Sequence, residues 1–142
     1  MLAIIIPTYD NLGMLKRLIE QIYERTSGEL RLYIVEDGQK KETIKFLQLG
    51  KYQNLLYTLH DKNEGVAKSW NDGIKQAISD GCEYFAVFND DIEIPFGWWD
   101  KCRSKFEQGF DFISLTPKFE TFIFSGWFFI LSKNVVAEVG LF

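Results

Sequence analysis

Apolar residues in this chain come in short unbroken runs, separated by longer stretches in which they recur every three or four positions. Leu2-Ala3-Ile4-Ile5-Ile6 is a β-rich run stopped by Pro7, and it is predicted to be a buried strand. Leu12, Leu15, Leu18, Ile19 and Ile22 then fall on one helical face, with Asp10 or Asn11 placed to cap the start and Gly28 to end it. Leu30 to Val35 reads as a second strand, Lys40 to Leu49 as a short helix carrying Ile44, Phe46 and Leu47, and Leu55 to Leu59 as a third strand. Val66, Trp70, Ile74, Ala77 and Ile78 step through an amphipathic helix over 66–79, which Gly81 ends. A fourth strand at Tyr84 to Phe88, a helix at Trp98 to Phe106 and a strand at Phe110 to Leu115 follow. Phe119 to Phe124 alternates like a strand, Ser125-Gly126 breaks the pattern, Trp127 to Leu131 resumes it, and Asn134 to Glu138 suits a helical turn. This alternation predicts an α/β fold with a largely parallel sheet and helices on both faces.

A length of 142 residues suits one domain, spanning 1–142, with one sizeable core. The net charge is −4 and the lysines and arginines are scattered among acids, so the basic stripe of a nucleic-acid binder is missing and no nucleic-acid partner is expected. Cys82 and Cys102 have neither the spacing of a zinc site nor the number of a disulfide scaffold, which fits a reducing, cytoplasmic compartment. The start carries no basic leader, and the apolar stretch from Phe122 to Leu131 is half of the about 20 residues a membrane helix needs. No transmembrane segment is expected. Aromatic residues make up 16% of the chain, and their late cluster offers contact with a membrane surface as well as a core.

The candidate chemistry lies at the predicted strand ends. Asn89-Asp90-Asp91 puts adjacent carboxylates where an apolar strand stops, an arrangement that suits a hard divalent cation whose shell a substrate phosphate completes. Ile4-Ile5-Ile6 likewise runs into Pro7-Thr8-Tyr9-Asp10, and Leu32-Tyr33-Ile34-Val35 into Glu36-Asp37-Gly38. Ligands of open α/β sheets bind beyond the carboxyl ends of the strands, so these ends are expected to converge on one crevice.

In this order, Ile6-Pro7-Thr8-Tyr9, Glu36-Asp37-Gly38, Asn63-Glu64-Gly65 with Asn71, and Asn89-Asp90-Asp91 resemble the motifs of the family 2 glycosyltransferases. Ser125-Gly126 and the closing Val139-Gly140-Leu141-Phe142 extend the resemblance over almost the whole chain. The resemblance implies a GT-A type three-layer α/β/α sandwich that binds a nucleotide-diphospho-sugar, by default a UDP-sugar. It further implies transfer of the sugar to an acceptor hydroxyl, with inversion, and a need for Mn²⁺ or Mg²⁺.

Carried over residue by residue, the resemblance makes Pro7, Thr8 and Tyr9 the lining of the base pocket, with Asp37 accepting a hydrogen bond from the base. Taken alone, Asp37-Gly38 also reads as a turn and Tyr9 as a half-buried aromatic. Lys68 is brought near the base or diphosphate and Asn71 helps to hold the loop, although Lys68 lies one helical turn past Glu64 and an exposed ion pair is the competing reading. Asp90 would contact the ribose and Asp91 would bind the metal, which stabilises the departing nucleoside diphosphate. A solvated acidic turn is the alternative for that pair.

The family's catalytic base, an Asp or Glu beyond the closing Gly-x-Phe, has no counterpart before Phe142, so the domain is expected to lack the usual C-terminal acceptor and base region. Glu120 is the nearest substitute, against an ordinary strand-edge charge. His60, the single histidine, falls outside every matched motif and is expected to be a loop residue without a role. Phe122, Phe124 and Trp127 offer a surface for self-association. Three functional readings stand: a glycosyltransferase, a truncated or inactive homologue that binds nucleotide sugar without efficient turnover, and a nucleotidyltransferase. The last lacks its glycine-rich, basic phosphate loop here.

Overall fold

The computed structural model describes residues 1–114 and 126–142. Strands β1 (Leu2–Thr8), β2 (Leu30–Glu36), β3 (Leu55–Leu59), β4 (Tyr84–Phe88), β5 (Phe112–Ser114) and β6 (Phe128–Ser132) form one sheet in the order β3-β2-β1-β4-β6-β5. The first four are mutually parallel, whereas β6 runs antiparallel to both β4 and β5. Helices α1 (Leu12–Arg25), α2 (Lys41–Gln48), α3 (Val66–Ser79), α4 (Trp98–Glu107) and α5 (Lys133–Val139) complete the fold.

The side-chain alternation of β1 divides the core. Leu2, Ile4 and Ile6 face Leu15, Leu18, Ile19 and Ile22 of α1, together with Leu47 of α2 and Trp98 and Trp99 of α4. Ala3 and Ile5 face Ile74 and Ala77 of α3, with Phe129 and Leu131 of β6 on the same side. Both sheet faces are therefore covered, and the architecture is the three-layer, mostly parallel α/β/α sandwich. Gly73 brings α3 close to the sheet: a Cβ at this position would lie 2.4 Å from Ile5 Cγ2.

The elements depart from expectation in three places. β1 does not stop before Pro7 but runs through it to Thr8. Its ladder with β4 ends at Ile5 opposite Val87 while its ladder with β2 continues, so at Pro7 one edge of the strand is already free and the missing N–H breaks no pairing there. Asn11 occupies the N-cap position of α1 without a side-chain capping bond, because its amide is engaged elsewhere. The strand expected at Phe110 to Leu115 shortens to Phe112–Ser114, and the one expected at Phe119 to Phe124 lies outside the described residues. Among the described residues no helix is long and apolar enough to cross a membrane.

Candidate active site

The chain leaves β1 towards β2 on one side and later returns to β4 on the other, which leaves a crevice between β1 and β4 at their carboxyl ends. Into it opens a cleft of about 420 Å³. Its walls are Pro7, Thr8, Tyr9, Asp10 and Asn11 after β1, Asp37 after β2, Asn63, Gly65 and Val66 ahead of α3, and Asn89 and Asp90 after β4. Asp90 stitches the gap: its carboxylate accepts from Thr8 Oγ1 at 2.7 Å and from Asn11 Nδ2 at 3.0 Å. Burial pushes the Asp90 carboxyl above its ordinary range, and the neighbouring Asp91 adds to the shift against the two hydrogen bonds.

Asp37 organises the opposite wall. One oxygen accepts from the Glu64 backbone N–H at 2.7 Å and faces His60 Nδ1 at 2.8 Å, and the other accepts from the Gly65 N–H at 2.9 Å. Burial works to raise this carboxyl, but the Glu64 amide, His60 and the Gly65 amide outweigh it and hold it below the usual range. Glu36, its neighbour in sequence, does not line the cleft. It is fully buried and accepts the Lys40 N–H at 3.2 Å.

Tyr9 is 52% exposed on the cleft rim. Its ring packs so closely on Gly38 that a Cβ there would lie 2.4 Å from Cε2, and the Lys40 ammonium sits 4.7 Å from the ring centroid. Lys40 also pairs with Asp10 at 3.3 Å. A planar ligand stacking on Tyr9 would therefore share the ring with a cation.

Of the residues proposed from the sequence, Pro7, Thr8, Tyr9, Asp37 and Asp90 line this cleft, whereas Lys68, Asn71 and Asp91 do not. Lys68 is ion-paired with Asp72, one turn on, rather than with Glu64. Asn71 clasps the backbone of Phe142, donating to its carbonyl at 2.5 Å and accepting from its N–H at 3.0 Å. Asp91 is exposed on the turn after Asp90. Glu120, Phe122 and Phe124 lie outside the described residues, and Trp127 is 38% exposed.

His60 lies in the loop directly after β3, as expected, but it is buried there and engaged on both sides: it is 7% exposed, with Nδ1 against Asp37 and Nε2 3.0 Å from Asp72 Oδ2. The signal was available, since His60 directly follows β3 and so stands at a fourth strand end beside the others. Asp72 had no comparable mark.

Among the described residues no group of three or more His, Cys, Asp or Glu side chains is arranged to hold a metal. A half-buried Asp90 followed by an exposed Asp91 nonetheless fits a hard cation held through one or two carboxylates, with phosphate and water completing its shell.

Comparison with known proteins agrees with this geometry. Residues 3–138 match the family model described as Glycosyl transferase family 2. An uncharacterized glycosyltransferase of Rickettsia felis is 26% identical over 145 residues, a match covering 96% of this chain and 23% of that protein. The bifunctional glycosyltransferase pgtA of Dictyostelium discoideum is 31% identical over 91 residues, covering 61% of this chain and 12% of its own length. Among solved structures, the mannosyltransferase PcManGT of Pyrobaculum calidifontis, in complex with GDP-Man and Mn²⁺, superposes with a TM-score of 0.81 at 16% identity, over 99% of this chain and 47% of that one. S. aureus TarS 1–349 in complex with UDP-GlcNAc gives 0.77 at 15% identity, over 96% of this chain and 46% of its own. The chain thus spans about a quarter of the Rickettsia felis relative and just under half of each of these structures. With the match running through every strand that opens onto the cleft, the chain belongs to glycosyl transferase family 2 and has its GT-A fold.

Proposed function

We propose that the cleft binds a nucleotide-diphospho-sugar and that the protein takes part in transferring its sugar, with inversion, to an acceptor hydroxyl. The observation that carries this reading is the meeting of Pro7, Thr8, Tyr9, Asp37 and Asp90 on one cleft at the carboxyl ends of the sheet. Tyr9 offers an aromatic edge for the base and Thr8 and Asp90 offer polar atoms at ribose depth. The Asp37 wall shapes the base pocket through the Glu64 and Gly65 backbone. A UDP-sugar is the default donor, and the solved neighbours bound to UDP-GlcNAc and to GDP-Man keep both bases in view.

Asp91, exposed beyond Asp90, is the residue proposed to hold Mn²⁺ or Mg²⁺ together with the diphosphate. The metal would neutralise charge on the leaving nucleoside diphosphate. Asp90, with both oxygens already bonded to Thr8 and Asn11, orients rather than coordinates. Lys68, which pairs with Asp72 outside the cleft lining, is the cation proposed to reach the diphosphate from α3 once released.

A second reading, nucleotide-sugar binding without efficient turnover, is favoured by one observation. Each carboxylate lining the cleft among the described residues is already committed: Asp10 to Lys40, Asp37 to the loop amides and Asp90 to Thr8 and Asn11. None is left free to deprotonate an acceptor, and Glu120 is the remaining candidate proposed for that role. Family membership leaves the nucleotidyltransferase reading without support.

Calorimetry with UDP and with GDP, each with Mn²⁺ and with excess chelator, tests the proposal. Binding in the micromolar to millimolar range that weakens markedly in chelator is expected, because diphosphate and carboxylates repel until a cation bridges them. Absence of binding to either nucleotide would overturn the cleft assignment, and equal affinity in chelator would overturn the metal's role.

A further inference from the structure

We propose that His60 is a positioning residue of the nucleotide cleft: its ring, bridging Asp37 and Asp72, fixes the Glu64–Gly65 backbone in the place a donor requires. The proposal rests on reading the cleft as a nucleotide site. His60 itself touches no part of the cleft, and it acts through Asp37, which does.

The geometry engages both ring nitrogens. Nδ1 and Nε2 stand 2.8 Å and 3.0 Å from carboxylate oxygens. An ionised carboxylate only accepts, so both nitrogens are satisfied at once only when both donate, as in the imidazolium. Loss of the proton would turn a lone pair towards a carboxylate inside the protein, where such a contact is costly. The surroundings are charge-balanced in this form: Asp37, His60, Asp72 and Lys68 alternate in sign from the buried end to the exposed end.

These are the charged groups that face the ring. Among its other neighbours, Glu36 accepts the His60 backbone N–H through its own carbonyl and turns its carboxylate to the Lys40 amide. Gln39 donates to the His60 carbonyl at 2.8 Å. Lys62 and Glu64 pair with each other on the exposed side of the loop. The backbone of His60 is thus held at both ends, and the ring is free to do one thing, which is to keep Asp37 turned towards the Glu64 and Gly65 amides.

Because the chain has a single histidine, its ring can be read without assignment ambiguity. When the wild-type chain is titrated with UDP and Mg²⁺, ¹H–¹⁵N correlation spectra are expected to show the His60 ring and the Glu64 and Gly65 amides shifting together. In His60→Asn and His60→Gln the Glu64 and Gly65 amide resonances should move away from their wild-type positions. Affinity for UDP with Mn²⁺ should fall about tenfold in the weaker of the two variants, the loss of one charge-assisted bond. His60→Asn keeps a donor on the Asp37 side and His60→Gln keeps one on the Asp72 side, so nucleotide affinity should rank wild type, then Asn, then Gln.

A ring that stays still while the amides shift, amides unmoved in both variants, or equal affinities for the two variants would overturn the proposal. Should the variants fail to fold, the wild-type titration decides. Should the wild type bind neither UDP nor GDP, the nucleotide reading fails, while the amide shifts of the two variants still show whether His60 orders the wall.

Discussion

Replacing Asp37 by Asn removes one charge and changes little else, so its cost can be worked through. In the native chain three donors meet this carboxylate: the Glu64 and Gly65 amides and His60. An Asn offers one oxygen and one NH₂ in the same space. If its oxygen serves Glu64 and His60, the NH₂ is set against the Gly65 N–H, donor against donor. A hydrogen bond to a charged group contributes about 1.5–3 kcal/mol and a neutral one about 0.5–1.5. One bond lost outright and two weakened by about 1 kcal/mol each give about 3.5–5 kcal/mol. The exposed Glu64 segment can relax and recover part of this, which leaves about 2–4 kcal/mol, a large share of the roughly 5–15 kcal/mol that holds a domain of this kind together. Urea unfolding of Asp37→Asn and wild type, with matching m-values, measures it. The pH dependence adds a second check. The folded-state carboxyl titrates below its ordinary value of 3.8, so its stabilisation is complete above that value and is lost as the pH falls through the lower one. The variant cannot titrate there, and the gap between the two proteins should close in acid. A difference below about 1 kcal/mol at neutral pH, or one that does not narrow in acid, would refute the account of this wall.

Gly73→Ala should destabilise despite the better helix former. The gain of about 1 kcal/mol in propensity is set against a Cβ placed 2.4 Å from the buried Ile5 Cγ2, for a net loss of up to about 2 kcal/mol by thermal unfolding. Ile5→Ala in the same background should reverse the sign of the Gly73→Ala effect. Asp91→Asn should leave the melting temperature within a few degrees of wild type, since the residue is exposed, while removing the Mn²⁺ dependence of UDP binding in calorimetry. Turnover of a nucleotide sugar by the 142-residue chain alone should be slow, because a positioned general base contributes about 10²–10⁴-fold and no carboxylate lining the cleft among the described residues is unengaged. Product release followed by chromatography measures this, and rapid turnover would contradict it.

The parallel half of the sheet was legible because each strand is an apolar run and each helix a single apolar stripe, signals that depend only on local sequence. The antiparallel β6 was legible as a strand but not in its direction, since direction depends on which partner it finds rather than on its own residues. The cleft itself was half legible. Strand-end motifs pointed to Pro7, Thr8, Tyr9, Asp37 and Asp90 because a ligand site at a sheet's carboxyl end draws on residues that follow apolar runs. The partners of those residues were not visible. Asn11 reads as a helix cap and bonds Asp90 instead, and Asp72 reads as one more polar position on α3 yet completes the His60 bridge. Both choices are made by tertiary neighbours, and no local pattern records them.

The strand order also bears on how the protein comes together. The β2–β3 and β1–β2 ladders join residues 23 and 28 positions apart, whereas β1 meets β4 82 positions away. Closing the longer interval costs more chain entropy, so the β1–β4 seam should form after the first three strands have zipped. The Thr8–Asp90 and Asn11–Asp90 bonds cross that same seam. Hydrogen exchange at the carboxyl end of β4 should therefore be faster than in β2, and a ligand seated across the seam should slow it, joining the last step of folding to the first step of binding.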